Sequence, residues 1–153
     1  QLVGLRYFNV YGKYEENKGS MASVVYKFYN QLEEGEITLF KNSDKYLRDF
    51  IHVDDIVSMN IKFFLNPKIS GLFNVGTGAE RSFQDIADIF KKRYKASIKY
   101  IEMPEKLKGK YQEFTKSDNT KLFKSFSHKF LSLEQGIEKY LNYLEKSPWE
   151  RDS

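Results

Sequence analysis

A strand-to-helix junction in the middle of the chain constrains the fold more than any other feature. Residues 47–53 are mostly apolar or aromatic, which predicts a buried strand. Asp54 is expected to be the N-cap of a helix that runs to about Leu65, and Pro67 ends that helix. Arg48 lies at the start of the strand, where a guanidinium can grip a diphosphate through two parallel charge-assisted hydrogen bonds. The alternative interpretation is an ordinary junction with a surface ion pair.

Strands and helices alternate along the rest of the chain, which predicts an α/β fold. Runs of apolar residues predict four further strands, at residues 2–10, 37–40, 71–75 and 98–101. Helical spacing predicts three further amphipathic helices, which follow the N-cap residues Ser20, Ser82 and Ser132.

The composition indicates one soluble globular domain. The chain has 153 residues, of which 41% are hydrophobic and 30% are charged. The absence of cysteine excludes a disulfide framework and a thiolate zinc site. The apolar runs fall short of the ~20 residues that a membrane span needs, and no signal peptide heads the chain, so we expect a cytoplasmic protein without a membrane partner. The net charge of +4 comes from lysines interspersed with acids, which favours a solvated face over a nucleic-acid partner.

Two features imitate functional motifs. The glycines of Gly76-Thr77-Gly78 follow an apolar strand, as in a dinucleotide fingerprint, but Arg81 occupies the third glycine position. We therefore interpret the segment as a turn that leads to the next helix. His52 and His128 are isolated from each other in sequence, so structural roles are favoured over a metal site or a catalytic triad.

Five motifs together carry a family resemblance: GLRYFNVYG, NKGSMAS, RDFIHVDD, GLFNVGTG and KLKGKYQ. They resemble the carboxyl-terminal portion of extended short-chain dehydrogenases/reductases of the NAD-dependent epimerase/dehydratase family, and within it most closely the ADP-heptose 6-epimerases. The family carries a Gly-rich dinucleotide loop and a Tyr-x-x-x-Lys pair upstream of the first motif. The resemblance thus implies that this chain lacks an amino-terminal half and is inactive without it.

The resemblance also implies site residues. Lys18 matches the second catalytic base of the heptose epimerases and a cofactor contact, whereas without the resemblance it would be interpreted as an exposed loop residue. Val10 matches a position whose backbone meets the nicotinamide cofactor. Lys27 occupies a position where relatives often carry His. The implied substrate contacts are Asn9, Ser20, Lys27, Phe40, Lys41, Asn42, Ser43, Arg48 and Tyr111.

The implied function is inversion of C6 of ADP-glycero-manno-heptose by transient oxidation with NADP, for lipopolysaccharide inner-core synthesis. Residues 1–12 and 48–76 are expected to contribute to the nucleotide-domain sheet of a Rossmann-type fold, and residues 13–47 and 77–153 mainly to a smaller α/β substrate-binding domain. The expected partners are ADP-heptose, the amino-terminal half and further copies in a homo-oligomer. The alternatives are another nucleotide-sugar epimerase, dehydratase or reductase of the same fold, or a non-catalytic sugar-nucleotide-binding fragment.

Overall fold

Strands and helices alternate along the chain, which confirms the α/β class. The computed structural model describes residues 1–107, 109, 111–147 and 151. The seven strands within these residues are β1 (Val3–Tyr7), β2 (Asn9–Tyr11), β3 (Glu36–Phe40), β4 (Leu47–His52), β5 (Gly71–Val75), β6 (Glu80–Ser82) and β7 (Ser97–Ile101). The five α-helices within them are α1 (Val24–Gln31), α2 (Val53–Phe64), α3 (Phe83–Tyr94), α4 (Thr120–Ser125) and α5 (Leu133–Leu144).

The strands of the described chain form three small sheets, in which parallel pairing predominates. β1 pairs with β5 and β3 pairs with β7, each in parallel over five residues. The third sheet has the order β2-β4-β6, with β2 parallel and β6 antiparallel to β4. Parallel pairing requires crossover connections between the strands, which brings the intervening helices against the sheets.

The single strand predicted for residues 2–10 is wrong, because the chain changes partners at Phe8. β1 pairs with β5 and β2 pairs with β4, although the Phe8 amide still donates to the Val75 carbonyl at 3.3 Å. The sequence also did not predict β6, whose three residues, Glu-Arg-Ser, are polar. Pairing with the start of β4, where Arg48 lies opposite Arg81, gives this short segment its extended form.

Two apolar cores meet at β4. The first combines side chains of α1, β3, α3 and α5, including Val25, Ile37, Phe90, Ile137 and Leu141. The second packs α2 on the β1–β5 sheet and includes Ile51, Met59, Phe63, Phe73 and Val75. Each such side chain contributes roughly 1.5–3 kcal/mol when it is buried. Because strand side chains alternate, Phe50 belongs to the first core and Ile51 to the second, so both faces of β4 are covered.

The prediction that Ser20 caps the first helix is wrong. Ser20 lies in the single-turn 3₁₀ helix Gly19–Met21, and α1 begins after Ser23, whose hydroxyl accepts from the Tyr26 amide. The physical reason is a buried carboxylate. Glu15 accepts hydrogen bonds from the amide and hydroxyl of Ser23, and these contacts hold Ser23 in the extended conformation of an N-cap.

The prediction that Asp54 caps α2 is also wrong. The His52 ring is the N-cap acceptor for the Asp54 amide at 3.2 Å, which places Asp54 in the first turn. There its carboxylate pairs with Lys139 at 2.6 Å. It also interacts favourably with the positive end of the helix dipole. The caps predicted at Ser82 and Ser132 are confirmed, and each forms a capping box. In the described part of the chain, we find no helix with the length and apolarity needed to cross a bilayer.

Candidate active site

A cavity of about 800 Å³ opens between β2, α1, β3 and β4. This volume is in the range of small-molecule sites, which are typically about 300–1,000 Å³. Its wall combines aromatic rings with a few polar groups. Seven of the predicted site residues line it: Asn9, Val10, Lys27, Phe40, Ser43, Arg48 and Tyr111.

The backbone explains why residues distant in sequence meet at this cavity. β2 and β4 are parallel neighbours, so Asn9 lies opposite Phe50, two residues beyond Arg48 on the same face of β4. On β3, alternation directs Thr38 and Phe40 to the cavity, while Ile37 is fully buried in the core. The pairing of β2 with β4, which the two apolar cores stabilise, thus brings Asn9 and Arg48 to the same cavity wall.

Arg48 is a nearly buried cation in the wall of this cavity, with 6% of its surface exposed. Its guanidinium donates to the carbonyls of Leu47, at 2.8 Å, and Gln112. It also lies over the rings of Phe83 and Tyr111, at 5.7 and 5.3 Å from the centroids. Burial lowers the pKa of Arg48 and raises that of the Tyr111 hydroxyl.

No carboxylate pairs with Arg48 anywhere in the described residues, and the surface ion pair of this junction is the one between Asp54 and Lys139. The adjacent Asp49 points to the opposite face of β4. A buried cation without a counter-ion is costly, and an anionic ligand in the cavity would offset that cost. The arrangement can therefore bind a phosphate-bearing molecule.

Lys41 and Asn42 line a second cavity, of about 460 Å³, next to the first. Tyr46 and Tyr111 line both cavities, and their rings meet edge to face with centroids 5.0 Å apart. Lys41 pairs with Glu102 at 2.5 Å on the rim of this second cavity. The segment 40–43 therefore divides between two adjoining spaces, with Phe40 and Ser43 in the larger one.

Lys18 and Ser20 are outside the lining of both cavities. Lys18 is half exposed, and its Nζ lies 3.6 Å from a carboxylate oxygen of Glu15. The Ser20 carbonyl accepts from Lys27 Nζ at 2.7 Å, and Lys27 lines the main cavity. The turn that carries Lys18 thus adjoins the cavity, because Met21 at its end lines the wall and Lys27 bonds to the Ser20 carbonyl.

The Gly76-Thr77-Gly78 segment is a turn in which two amides are already bonded to a carboxylate. The Asp49 carboxylate accepts from the Thr77 amide at 2.7 Å and the Gly78 amide at 2.9 Å. A Cβ at Gly76 would lie 2.6 Å from that carboxylate, so only glycine permits this approach. These amides are not available to a pyrophosphate, and this segment does not form a dinucleotide loop.

The two histidines make structural contacts. His52 caps α2, and burial lowers its pKa, so the neutral ring that can accept from an amide is favoured. His128 Nε2 lies 2.9 Å from Asp55, whose second carboxylate oxygen accepts from the Leu131 amide at 3.1 Å. Among the residues that the structure describes, no group of three His, Asp or Glu side chains could hold a metal ion.

Sequence reasoning missed several residues of the main cavity: Gln31, Thr38, Tyr46, Phe83 and Gln112. Alternation along β3 could have identified Thr38, since it shares the face of Phe40. Phe83 packs against the first core, and its ring also contacts Arg48. Gln112 contributes a backbone carbonyl, which no side-chain pattern could have signalled.

Comparisons with known proteins agree with this geometry. Residues 1–76 match the NAD dependent epimerase/dehydratase family. The chain is 51% identical over 150 residues to the ADP-L-glycero-D-manno-heptose-6-epimerase of Brachyspira hyodysenteriae (strain ATCC 49526 / WA1), a match that spans 96% of this chain and 47% of that protein.

Solved structures show the same fold. The crystal structure of Helicobacter pylori ADP-L-glycero-D-manno-heptose-6-epimerase matches with a TM-score of 0.82 and 31% identity, over 95% of this chain and 45% of that one. UDP-glucose 4-epimerase from Thermotoga maritima, solved with UDP-glucose, matches with a TM-score of 0.75 and 28% identity, over 93% and 45%. The chain spans about half the length of these relatives. Its sequence and fold together place it in the NAD-dependent epimerase/dehydratase family.

Proposed function

We propose that this chain forms the sugar-nucleotide site of an epimerase that inverts C6 of ADP-glycero-manno-heptose. The observation that carries the proposal is Arg48, a buried cation that has no carboxylate partner among the described residues and lies in a cavity of the right size for a small molecule. The relatives that share the sequence are named as epimerases of that sugar nucleotide. The product would serve as a precursor for the inner core of lipopolysaccharide, and the enzyme would work in the cytoplasm.

The proposed substrate roles follow the two cavities. Arg48 would clamp the diphosphate, as a guanidinium donates two parallel bonds to phosphate oxygens. Phe40 and Ser43 in the larger cavity, with Lys41 and Asn42 in the adjoining one, would hold the nucleotide. At the sugar end we place Asn9, Ser20, Lys27 and Tyr111.

Inversion through a ketone requires acid/base groups on both faces of the sugar carbon. We propose Lys18 for one face, and a Tyr of an amino-terminal half for the other. The chemistry that NADP would supply when bound is the transient oxidation of C6. In this chain the Val10 backbone, beside the main cavity, and Lys18 would contact the nicotinamide end.

The pyrophosphate of the cofactor needs a helix N-terminus or a Gly-rich turn with free amides. The Gly76-Thr77-Gly78 turn does not offer them, since Asp49 accepts from two of its amides. We therefore propose that an amino-terminal half supplies this loop and that the chain is inactive without it.

The proposed division into domains keeps the boundaries predicted from the sequence. Residues 1–12 and 48–76 would join the nucleotide-domain sheet, and the parallel β1–β5 pair with α2 packed on it supports this assignment. Residues 13–47 and 77–153 would form mainly the substrate-binding domain, which contains the β3–β7 sheet.

A second candidate is another nucleotide-sugar enzyme of the same fold, in which Lys18 only binds. Its support is the position of Lys18, half exposed and outside the lining of both cavities. A non-catalytic sugar-nucleotide-binding module has the same support. Turnover of ADP-heptose separates these candidates from the proposed epimerase.

The test joins this chain to the amino-terminal half of the Brachyspira relative and follows ADP-heptose epimerisation by NMR. We expect turnover, and we expect Lys18→Met to lower kcat at least ~100-fold, the usual effect of losing a positioned acid/base group. Lys45→Met, at an exposed lysine outside the lining of both cavities, is the matched control and should keep the parent rate. Epimerisation by Lys18→Met at the parent rate would refute the acid/base role.

A further inference from the structure

Glu15 is a buried carboxylate that joins three parts of the loop before α1. Only 1% of its surface is exposed. It accepts from the Ser23 amide at 2.9 Å, from the Ser23 hydroxyl at 2.7 Å and from the Gly12 amide at 3.3 Å. Its fourth contact is Lys18 Nζ, at 3.6 Å. Three donors and a cation together offset the cost of removing this charge from water.

A backbone hydrogen bond also joins Glu15 to Lys18. The Lys18 amide donates to the Glu15 carbonyl at 3.0 Å, so Glu15 and Lys18 are joined both through the main chain and through their charged groups. Two further turns follow, from the Met21 amide to the Lys18 carbonyl and from the Ala22 amide to the Gly19 carbonyl. They connect Lys18 to Ala22 and Ser23, which line the main cavity.

The two members of the charged pair differ in freedom. The hydrogen bonds to Gly12 and Ser23 fix the Glu15 carboxylate, whereas Lys18 has a long side chain that is half exposed. A lysine of this kind has many rotamers, and holding it in one of them costs side-chain entropy. A fixed buried partner decides which of these rotamers is populated.

We propose that Glu15 is a positioning residue that holds Lys18 in its working orientation beside the substrate cavity. This inference rests on the acid/base role proposed for Lys18. Glu15 acts through Lys18 and through the turn that carries it, and it does not itself contact the substrate. A purely structural role, in which Glu15 only fixes the start of α1, predicts different results in both experiments below.

The first experiment uses the 153-residue chain alone and needs no turnover. Trace acetylation followed by mass spectrometry compares the labelling rate of Lys18 with that of the exposed Lys45. We expect Glu15→Gln to raise the relative rate at Lys18 at least threefold, because the neutral side chain releases the amine, while its one remaining oxygen still accepts from Ser23. The matched control is Glu16→Gln, the same change at the next residue, which pairs with Arg151 at 3.5 Å and should leave Lys18 labelling unchanged.

The second experiment is a double-mutant cycle in the fusion with the amino-terminal half. Glu15→Gln should lower kcat at least tenfold and change KM less than threefold, and Glu16→Gln should change neither. If Glu15 acts through Lys18, the pair Glu15→Gln/Lys18→Met should be no slower than Lys18→Met alone. A structural role would instead make the losses multiply.

The outcomes separate this inference from the proposed function. If Lys18→Met lowers kcat but folded Glu15→Gln keeps the parent kcat and Lys18 labelling, the positioning role is overturned while the function stands. If Lys18→Met has no effect, the acid/base proposal fails, and the positioning role fails with it. Should Glu15→Gln not fold, Glu15→Asp replaces it, since it keeps the charge but withdraws the carboxylate by one methylene, and the same expectations apply.

Discussion

At the scale of single residues, Arg48 shows how the fold creates a binding group from a buried cation. Its guanidinium is held by two backbone carbonyls and two aromatic rings, contacts that fix its plane without neutralising its charge. A preorganised donor of this kind loses little entropy when an oxyanion arrives. The charge is therefore available to a ligand in the cavity.

We expect Arg48→Ala to weaken binding of ADP to the chain by about 10- to 100-fold, because charge-assisted hydrogen bonds contribute about 1.5–3 kcal/mol each. Arg48→Lys should retain only part of the ADP affinity, since an ammonium cannot donate two parallel hydrogen bonds. Isothermal titration calorimetry measures both. The matched control is Arg81→Ala, which removes an arginine that pairs with Glu134 and Asp85 outside the cavity lining. Equal ADP affinity of Arg48→Ala and the parent chain would exclude the clamp.

At the scale of elements, β4 is the organising strand, and Asp49 connects it to two loops. This fully buried carboxylate accepts from the amide and hydroxyl of Thr77, from the Gly78 amide and from the Ser117 amide at 3.0 Å. The loop that contains Ser117 is also bonded to Leu47, whose amide donates to the Glu113 carbonyl and whose carbonyl accepts from the Thr115 amide. These contacts hold the segment that brings Tyr111 and the Gln112 carbonyl to Arg48.

We expect Asp49→Asn to lower the free energy of unfolding by about 2–3 kcal/mol, because its amide presents hydrogens to N–H groups that need an acceptor. Urea denaturation followed by circular dichroism measures the change. ADP affinity should fall as well, since Tyr111 and Gln112 lose their anchor. Asp88→Asn, at an exposed carboxylate of α3 that accepts from Gln84, is the control and should stay within about 0.5 kcal/mol of the parent chain. An unchanged urea midpoint in Asp49→Asn would refute the anchoring role.

At the scale of the whole molecule, the side that carries the β1–β5 sheet has an open strand edge and exposed apolar side chains. Two strands make a small sheet, and pairing with β5 leaves the other edge of β1 without a strand partner in the described chain. Large apolar side chains nearby are exposed: Leu2, Val57, Ile61, Phe64, Leu65 and Leu72. Open strand edges and apolar patches favour association.

We therefore expect the isolated chain to sediment as a species larger than a monomer, and to become monodisperse when it is produced with the amino-terminal half of the Brachyspira relative. We also expect no micromolar NADP binding by the isolated chain, because the loop that receives the pyrophosphate would belong to that half. Analytical ultracentrifugation and fluorescence titration check the two expectations. A monomeric chain that binds NADP at micromolar concentration would contradict the proposed division of labour.

The sequence by itself determined the local features of this protein. The α/β class, the paths of β3, β4 and β5, and the capping boxes at Ser82 and Ser132 follow from periodicity and from hydrogen bonds within a few residues. Such signals are contained in a short window, so they can be recognised without knowledge of distant contacts.

The tertiary structure alone decided which groups meet. The break at Phe8, the pairing of β6 and the His52 cap depend on partners far along the chain or on a side chain with no strong capping preference. The buried carboxylates of Glu15 and Asp49 read as ordinary polar residues in the sequence, and only their surroundings give them a role. Long-range packing determines whether these carboxylates are buried and which hydrogen-bond donors surround them, and no local sequence pattern encodes either property.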